Sequence, residues 1–275
     1  VWIDLHTHST ASDGTDSPSA LVSAAARAGL DVIAITDHDT ADGWAQALEA
    51  GERCGVRVVP GIEVSCRHRG GSLHLLGYLL DPTAPELMLQ LQASRTSREG
   101  RAKAMVERLA TDYPIEWQDV LDQRAPGGTI GRPHIADALV ARGVFAHRDE
   151  AFATVLHVRS PYHVGHYAPS PVQAVRAVVA AGGVAVLAHP LAARQRRPAD
   201  DELIEHLADV GLAGIEVDHR DHDAESRHKL QRTAHRLGLM VTGGSDYHGT
   251  GKRNVIGENR TCAAVLEQIE GLAGS

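Results

Sequence analysis

Seven short apolar runs recur along this chain, and most are separated by alanine-rich amphipathic stretches. The runs at residues 1–5, 31–35, 56–60, 73–80, 184–187, 214–217 and 239–242 have the length and content of buried strands. Helical patterns lie at residues 17–30, 171–181, 199–210, 223–237 and 263–272. In the first of these, Ser17 suits an N-cap, Pro18 the first helical position and Gly29 the stop. Strands that alternate with helices restrict the fold to an α/β class with a parallel sheet or barrel.

One stretch breaks the rhythm. Residues 82–165 read as mainly helical, and Pro82, Pro85, Pro161, Pro169 and Pro171 punctuate its two ends. The expected organisation is a barrel of residues 1–81 and 166–275, with residues 82–165 as a helical insertion covering its mouth. Ten basic and ten acidic residues balance within the insertion, so the barrel carries the whole net charge of -8. No fixed-period repeat or low-complexity tract appears.

Composition narrows the function. The chain holds 17 histidines but only three tryptophans, five tyrosines and two phenylalanines. A core has little use for so many imidazoles, whereas metal sites use them readily. The acidic balance excludes a long nucleic-acid track, which needs a basic footprint. No apolar run reaches the roughly 20 residues of a membrane span, since residues 172–188 are broken by Arg176 and Gly182-Gly183. Three cysteines make no disulfide framework, and no basic-then-apolar leader opens the sequence given, so a cytoplasmic home is expected.

The ends of the strand-like runs carry the chemistry. They read Asp4-Leu5-His6-Thr7-His8 with Asp13 after it, Thr36-Asp37-His38-Asp39, Pro60-Gly61-Ile62-Glu63, Leu73-His74-Leu75, Ala188-His189-Pro190 and Ser245-Asp246-Tyr247-His248. Residues two apart in a strand point the same way, so His6 and His8 can grip one ion. A lone His-x-His or Asp-His is a weak signal. Six strand regions that deliver His, Asp or Glu near one edge are a strong one, because barrel active sites gather at the C-terminal strand ends. The residue types alone give a mixed imidazole and carboxylate site with room for several ions.

These motifs resemble the PHP (polymerase and histidinol phosphatase) family of metal-dependent phosphoesterases, and the resemblance runs from the first strand to the last. Within that family the chain is most similar to the subfamily of nucleoside 3′,5′-bisphosphate phosphatases and 5′-3′ exoribonucleases. That subfamily has an Arg-Pro-His stretch in its insertion, matched here by Gly131-Arg132-Pro133-His134. The resemblance implies a distorted (β/α)7 barrel and a three-metal cluster. His6, His8, Glu63 and Asp246 would hold the first ion; Glu63, His74 and His189 the second; Asp13, His38 and His248 the third. Of these, Asp13, His38, Glu63, His189, Asp246 and His248 are also the expected catalytic residues. Such ligands suit manganese, with iron or zinc as alternatives, better than calcium.

The implied reaction is hydrolysis of a phosphomonoester on a small nucleotide, best matched by the 3′-phosphate of a nucleoside 3′,5′-bisphosphate. Ions roughly 3.5–4 Å apart can make hydroxide from water near neutral pH and neutralise the phosphate oxygens. Two alternatives are a 5′-3′ exonuclease on short RNA and a non-catalytic metal-binding scaffold. A metal-dependent amidohydrolase also opens on His-x-His, but Asp13 and the closing Asp246-x-His248 match the phosphoesterase pattern. Arg132 and His134 stand at an expected helix start, where backbone N–H groups favour anions, and are the candidate substrate-binding residues.

Other residues have plainer readings. Asp37 either orients an imidazole or caps a helix. His219 and His222 follow the strand at residues 214–217 and either line the mouth or, the preferred reading, lie at the surface; His68, His147, His157, His163, His166, His206, His228 and His235 are read as solvated or loop residues. Cys54, Cys66 and Cys262 are expected to be small buried residues. Arg194, Arg196 and Arg197 are read as a solvated loop, although one of them can reach a phosphate.

Overall fold

The computed structural model describes residues 1–192 and 197–274. Its elements run β1 (Ile3–Asp4), α1 (Pro18–Arg27), β2 (Val32–Ile35), α2 (Trp44–Cys54), β3 (Arg57–His68), β4 (Gly71–Tyr78), α3 (Pro85–Leu109), α4 (Trp117–Leu121), α5 (Arg132–Ala141), α6 (Arg148–Thr154), α7 (Pro171–Ala180), β5 (Val184–Ala188), α8 (Asp201–Asp209), β6 (Leu212–Asp218), α9 (Ala224–Leu237), β7 (Met240–Gly243) and α10 (Ala263–Leu272). The seven strands form one sheet in sequence order. The result is a distorted (β/α)7 barrel, curled so that the segments after β1 and β7 meet. There, His8 N–H donates to Tyr247 O at 2.9 Å and Asp246 N–H to His6 O at 2.8 Å.

The distortion comes from β4. It runs antiparallel to both β3 and β5, while the other neighbours pair in parallel. No crossover helix separates β3 from β4. His68 pairs with Gly71 across a two-residue turn, Arg69-Gly70, whose φ angles of 46° and 78° are both positive. A type I′ hairpin needs that backbone, and it forces the next strand to reverse. This hairpin corrects the sequence expectation, which ended the third strand at residue 60. The strand continues to His68, so Glu63 sits in mid-strand. Helix α2 was also not expected; Gly51 and three alanines dilute its pattern.

Alternation of side chains divides the core. Val32, Ala34, Val59, Leu76, Tyr78, Val184 and Val186 pack together on the inner face of the sheet with Leu266 and Ile269 of α10. The intervening Ile33 and Ile35 pack under α1 and α2. Leu187, Ile215 and Val217 pack with the buried residues of α7 and α8. Each fully buried Ile or Leu contributes about 1.5–3 kcal/mol. Parity then fixes the site: Glu63 shares the lumen face with Val59, and His74 with Leu76 and Tyr78.

Residues 102–164 contain a separate hydrophobic cluster built around Met105, Leu109, Ile135 and Leu139. Helix α3 joins it to the barrel. Its first turns bury Leu87 and Leu91 in the barrel core, and its later turns bury Ala102, Met105, Val106 and Leu109 in the second cluster. Twenty-five residues make a rod of roughly 37 Å at 1.5 Å per residue. No helix among the described residues is long and apolar enough to cross a membrane.

Candidate metal centre

The nine residues singled out by sequence converge at one end of the barrel. His6 Nε2 and His8 Nε2 lie 3.2 Å apart and each lies 3.0–3.6 Å from Glu63 Oε2 and Asp246 Oδ1. Four ligand atoms arranged tetrahedrally around an ion at about 2.1 Å would lie roughly 3.4 Å apart. Glu63 also reaches the other way, with Oε1 at 2.7 Å from His74 Nδ1 and 3.1 Å from His189 Nε2. A further group contains His8, Asp13, His38 and His248, with His248 Nε2 at 3.2 Å from Asp13 Oδ1. His38 faces both sides, at 3.1 Å from Glu63 and 3.8 Å from Asp13.

The donors fit divalent ions. His38 Nδ1, His74 Nδ1 and His248 Nε2 are buried and make no hydrogen bond, despite their close carboxylates. Buried polar atoms without hydrogen bonds are rare, and aiming several at shared points is what ion ligands do. Tautomers are preset as well. His6 Nδ1 lies 2.9 Å from Glu216 Oε1, and His248 Nδ1 lies 2.8 Å from Asp246 O. Each partner occupies one ring nitrogen and leaves Nε2 facing the cluster.

Electrostatics follow the same pattern. Burial pushes the Glu63 carboxyl up, but the imidazoles of His74, His38 and His6 outweigh it and hold it well below the usual range. Glu216 is likewise raised by burial and lowered by His6, ending at about 2. Burial takes His189 down to about 3, and burial with Lys252 takes His248 to about 4, so both are neutral and able to ligate. Backbone strain concentrates here too: Asp39, His189 and Asp246 have φ of 55°, 27° and 52°. Gly244 allows a close approach, since a Cβ there would stand 2.4 Å from His6 Cβ.

Comparison with known proteins fits this geometry. The PHP domain profile matches residues 4–112. The chain is 34% identical over 257 residues to a 3′,5′-nucleoside bisphosphate phosphatase of Chromobacterium violaceum, covering 91% of this chain and 88% of that protein. It is 34% identical over 255 residues to a phosphoribosyl 1,2-cyclic phosphate 1,2-diphosphodiesterase of Eggerthella lenta, covering 90% and 94%. It is 32% identical over 247 residues to a 5′-3′ exoribonuclease of Haemophilus influenzae, covering 89% of each. A crystal structure from Bifidobacterium adolescentis, described as a metal-dependent phosphoesterase, superposes with a TM-score of 0.96 at 42% identity, covering 98% of this chain and 96% of that one. The chain belongs to the PHP family. It is a metal-dependent phosphoesterase.

Several residues of this PHP site escaped the sequence reading. Glu216 holds His6 and also accepts the His189 N–H at 2.9 Å; its signal was a carboxylate inside an otherwise apolar strand. His219 and His222 are buried, against the preferred surface reading and in line with the alternative that they line the mouth. His219 Nε2 lies 3.5 Å from Asp246 Oδ2, and His222 Nδ1 lies 2.9 Å from Val217 O. The bend after β6 turns both rings inward, which strand periodicity does not encode. Lys252 Nζ holds Asp246 Oδ2 at 2.7 Å.

Asp37 takes neither expected role. It accepts from Ser9 N–H, Ser9 Oγ and Ser12 Oγ at 2.6–2.8 Å and so braces the loop that carries Asp13. Cys66 is buried, but Cys54 is half-buried and Cys262, just before α10, is exposed. Arg194 and Arg196 lie outside the described residues, and Arg197 is exposed.

The insertion reaches the same loop. Thr129 N–H donates to Ala11 O at 3.0 Å, and Arg148 donates to Asp13 O at 3.2 Å while pairing with Asp137. Arg132 is the first residue of α5. It donates to Leu156 O at 2.9 Å, and its guanidinium lies over the Phe152 ring. His134 Nδ1 accepts the Gly131 N–H at 3.1 Å, closing the helix start.

Proposed function

We propose that this phosphoesterase removes the 3′-phosphate of a nucleoside 3′,5′-bisphosphate, and that it works in the cytoplasm with up to three divalent ions, manganese foremost. The observation that carries the reading is Glu63, whose two oxygens face separate sets of imidazoles on either side. Bound ions would supply a nucleophile from water and neutralise the phosphate oxygens. The chain's own residues do the rest. Glu63 ties the two sets together. Glu216 and the Asp246 carbonyl fix imidazole tautomers. Asp13, braced through Asp37, holds the His38 and His248 side. Residues 82–165 act as a cover, from which Arg132 grips a substrate phosphate, with His134 at the same helix start.

The nucleotide choice draws on the Chromobacterium relative. The Haemophilus relative supports a second reading, a 5′-3′ exonuclease on short RNA. A groove of about 720 Å³ lies between the loop at Asp39, helix α3 at Arg95 and the loop at Gly128, with volume for more than one nucleotide. Free cysteines at all three positions suit a reducing compartment.

The test offers metal-loaded protein adenosine 3′,5′-bisphosphate, adenosine 5′-monophosphate, histidinol phosphate and a short 5′-phosphorylated RNA. The bisphosphate should be turned over fastest, and chelation should stop it. Faster release of nucleotides from the RNA would move the assignment to the exonuclease. Silence on all four with metal bound would favour a scaffold.

A further inference from the structure

Glu63 and Asp246 use their carboxylate oxygens differently. Both oxygens of Glu63 face imidazoles of the cluster, Oε2 toward His6 and His8 and Oε1 toward His74 and His189. Asp246 turns only Oδ1 to the cluster, at 3.6 Å from His6 Nε2 and 3.4 Å from His8 Nε2. Its Oδ2 accepts from Lys252 Nζ at 2.7 Å and lies 3.5 Å from His219 Nε2.

Both holds on Oδ2 are built into the fold. Lys252 follows Gly249-Thr250-Gly251, a loop pinned on several sides. Thr250 N–H donates to Thr15 Oγ1 at 2.8 Å, and Asn254 Nδ2 donates to Ser245 O at 2.6 Å. A Cβ on Gly249, whose φ is 65°, would stand 2.0 Å from Thr15 Oγ1, and one on Gly251 would stand 2.0 Å from Arg148 Nη1. His219 is fixed as firmly. Arg227 donates to its carbonyl at 2.8 Å, and its Nδ1 accepts the Asp221 N–H at 3.0 Å. A neutral imidazole that accepts at Nδ1 carries its proton on Nε2. His219 Nε2 is therefore a donor aimed at Asp246 and not an ion ligand. It is buried and makes no shorter hydrogen bond. Its 3.5 Å contact exceeds the usual range of roughly 2.7–3.2 Å, so Lys252 supplies the stronger hold. Burial pushes the Asp246 carboxyl up, but Lys252 foremost, then His248, His219 and His8, hold it well below the usual range.

A carboxylate can give an ion one oxygen or both. Ion sites that do chemistry keep a position open beside their protein ligands. His6, His8, Glu63 and Asp246 already converge on one point, and a second oxygen from Asp246 would close it. We propose that Lys252 and His219 are positioning residues that restrict Asp246 to one oxygen and so keep that position open. The inference rests on the function proposed above. It carries a distinctive sign. An ammonium on Oδ2 stands within roughly 7 Å of an ion on Oδ1 and repels it. Lys252 thus weakens ion binding while it preserves access, whereas an ordinary brace strengthens both.

Two measurements on the full chain read that sign. Competition with a fluorescent chelator gives manganese affinity, and turnover of a small activated phosphomonoester at saturating manganese gives kcat and KM. Lys252→Met should raise manganese affinity about tenfold, because it removes a repelling charge and frees Oδ2. The same variant should lose about 10- to 100-fold in kcat with KM little changed. Lys252→Arg keeps the charge and should bring both values back toward normal. His219→Leu should shift both in the same directions by less, and His219→Gln, whose amide can donate, should undo that shift. Cobalt-loaded protein adds a readout apart from turnover: its visible band weakens as the ion gains ligands, and Lys252→Met should weaken it. Lower affinity together with lower kcat would make Lys252 a plain structural brace and overturn the proposal. Higher affinity with unchanged kcat would make it only a counter-charge, and a raised KM with unchanged kcat would place it on the substrate; each overturns the proposal too, as does an unaltered cobalt band. If the unaltered protein hydrolyses no phosphomonoester, the proposed function falls, while the affinity and cobalt arms still decide the role of Lys252.

Discussion

The barrel carries the whole net charge of -8, whereas the charges of the inserted segment sum to zero. The barrel concentrates carboxylates and imidazoles on strand ends, where parity and strained backbone hold them within ångströms of one another. The insertion is neutral overall, but it turns buried arginines toward the barrel mouth and keeps a hydrophobic cluster of its own. The difference teaches that, on the reading proposed above, hydrolytic chemistry and substrate choice would be physically separable in this chain. The strands bring the His and carboxylate side chains together, and α3 packs at one end in the barrel core and at the other in the second cluster. Relatives of similar identity that carry three different substrate names fit that separation.

The sharpest way to break the comparison is to disable one side and read the other. Glu63→Gln should cost at least about a thousandfold in kcat on every phosphomonoester, because one residue serves both sets of imidazoles and metal ligation is worth several kcal/mol of transition-state stabilisation. A loss confined to one substrate would show that Glu63 acts on substrate choice instead. Arg132→Ala should cost about ten- to 150-fold in kcat/KM on a bisphosphate, the equivalent of about 1.5–3 kcal/mol for one charged hydrogen-bond partner, and should keep its metals. Equal losses on a small activated ester would return Arg132 to a structural role.

Legibility followed the same division. The strand-end motifs pointed to all nine residues of the cluster because a ligand set is written in short, spaced words at the ends of apolar runs. The antiparallel β4 was not legible: two ordinary residues, Arg69 and Gly70, decide it through their φ angles. Glu216 was missed, and His219 was read first as a surface residue, for a related reason. One hid in a strand taken as wholly apolar, and the other needed the path of the chain after β6. Arg67 of β3 and Arg101 of α3 both reach His166, up to 99 residues away, and no local pattern in the sequence announces such a meeting.

Between the two regions stand the residues that hold ligands without being counted among them. Glu216→Gln should weaken metal affinity by about 10- to 100-fold, since it removes the charge that fixes the His6 tautomer. Competition with a fluorescent chelator reads this directly. Undiminished affinity with a changed substrate ranking would contradict the division of labour.

The smallest effect belongs to the outer face of the insertion. Arg142 on the α5 side donates to Asp119 of α4 at 2.6 and 2.9 Å and to Glu116 at 3.1 Å. The hydrogen bond from Arg142 holds the Asp119 carboxyl below its ordinary value of 3.8. A depressed carboxylate stabilises the fold fully above its unfolded value, and the contribution disappears as pH falls through the lower folded value. Asp119→Asn should therefore lower Tm slightly at pH 7, and the difference should shrink as the pH falls below the ordinary carboxyl value of 3.8 and through the lower folded value. The barrel's buried carboxylates are held by imidazoles, so acid must undo that cluster as well, whatever happens at Asp119. Thermal melts of both proteins across pH 3–7, with metal present and absent, separate the contributions. A Tm difference that grows in acid, or appears only with metal bound, would mean that Asp119 is coupled to the metal centre and that the two regions are not independent.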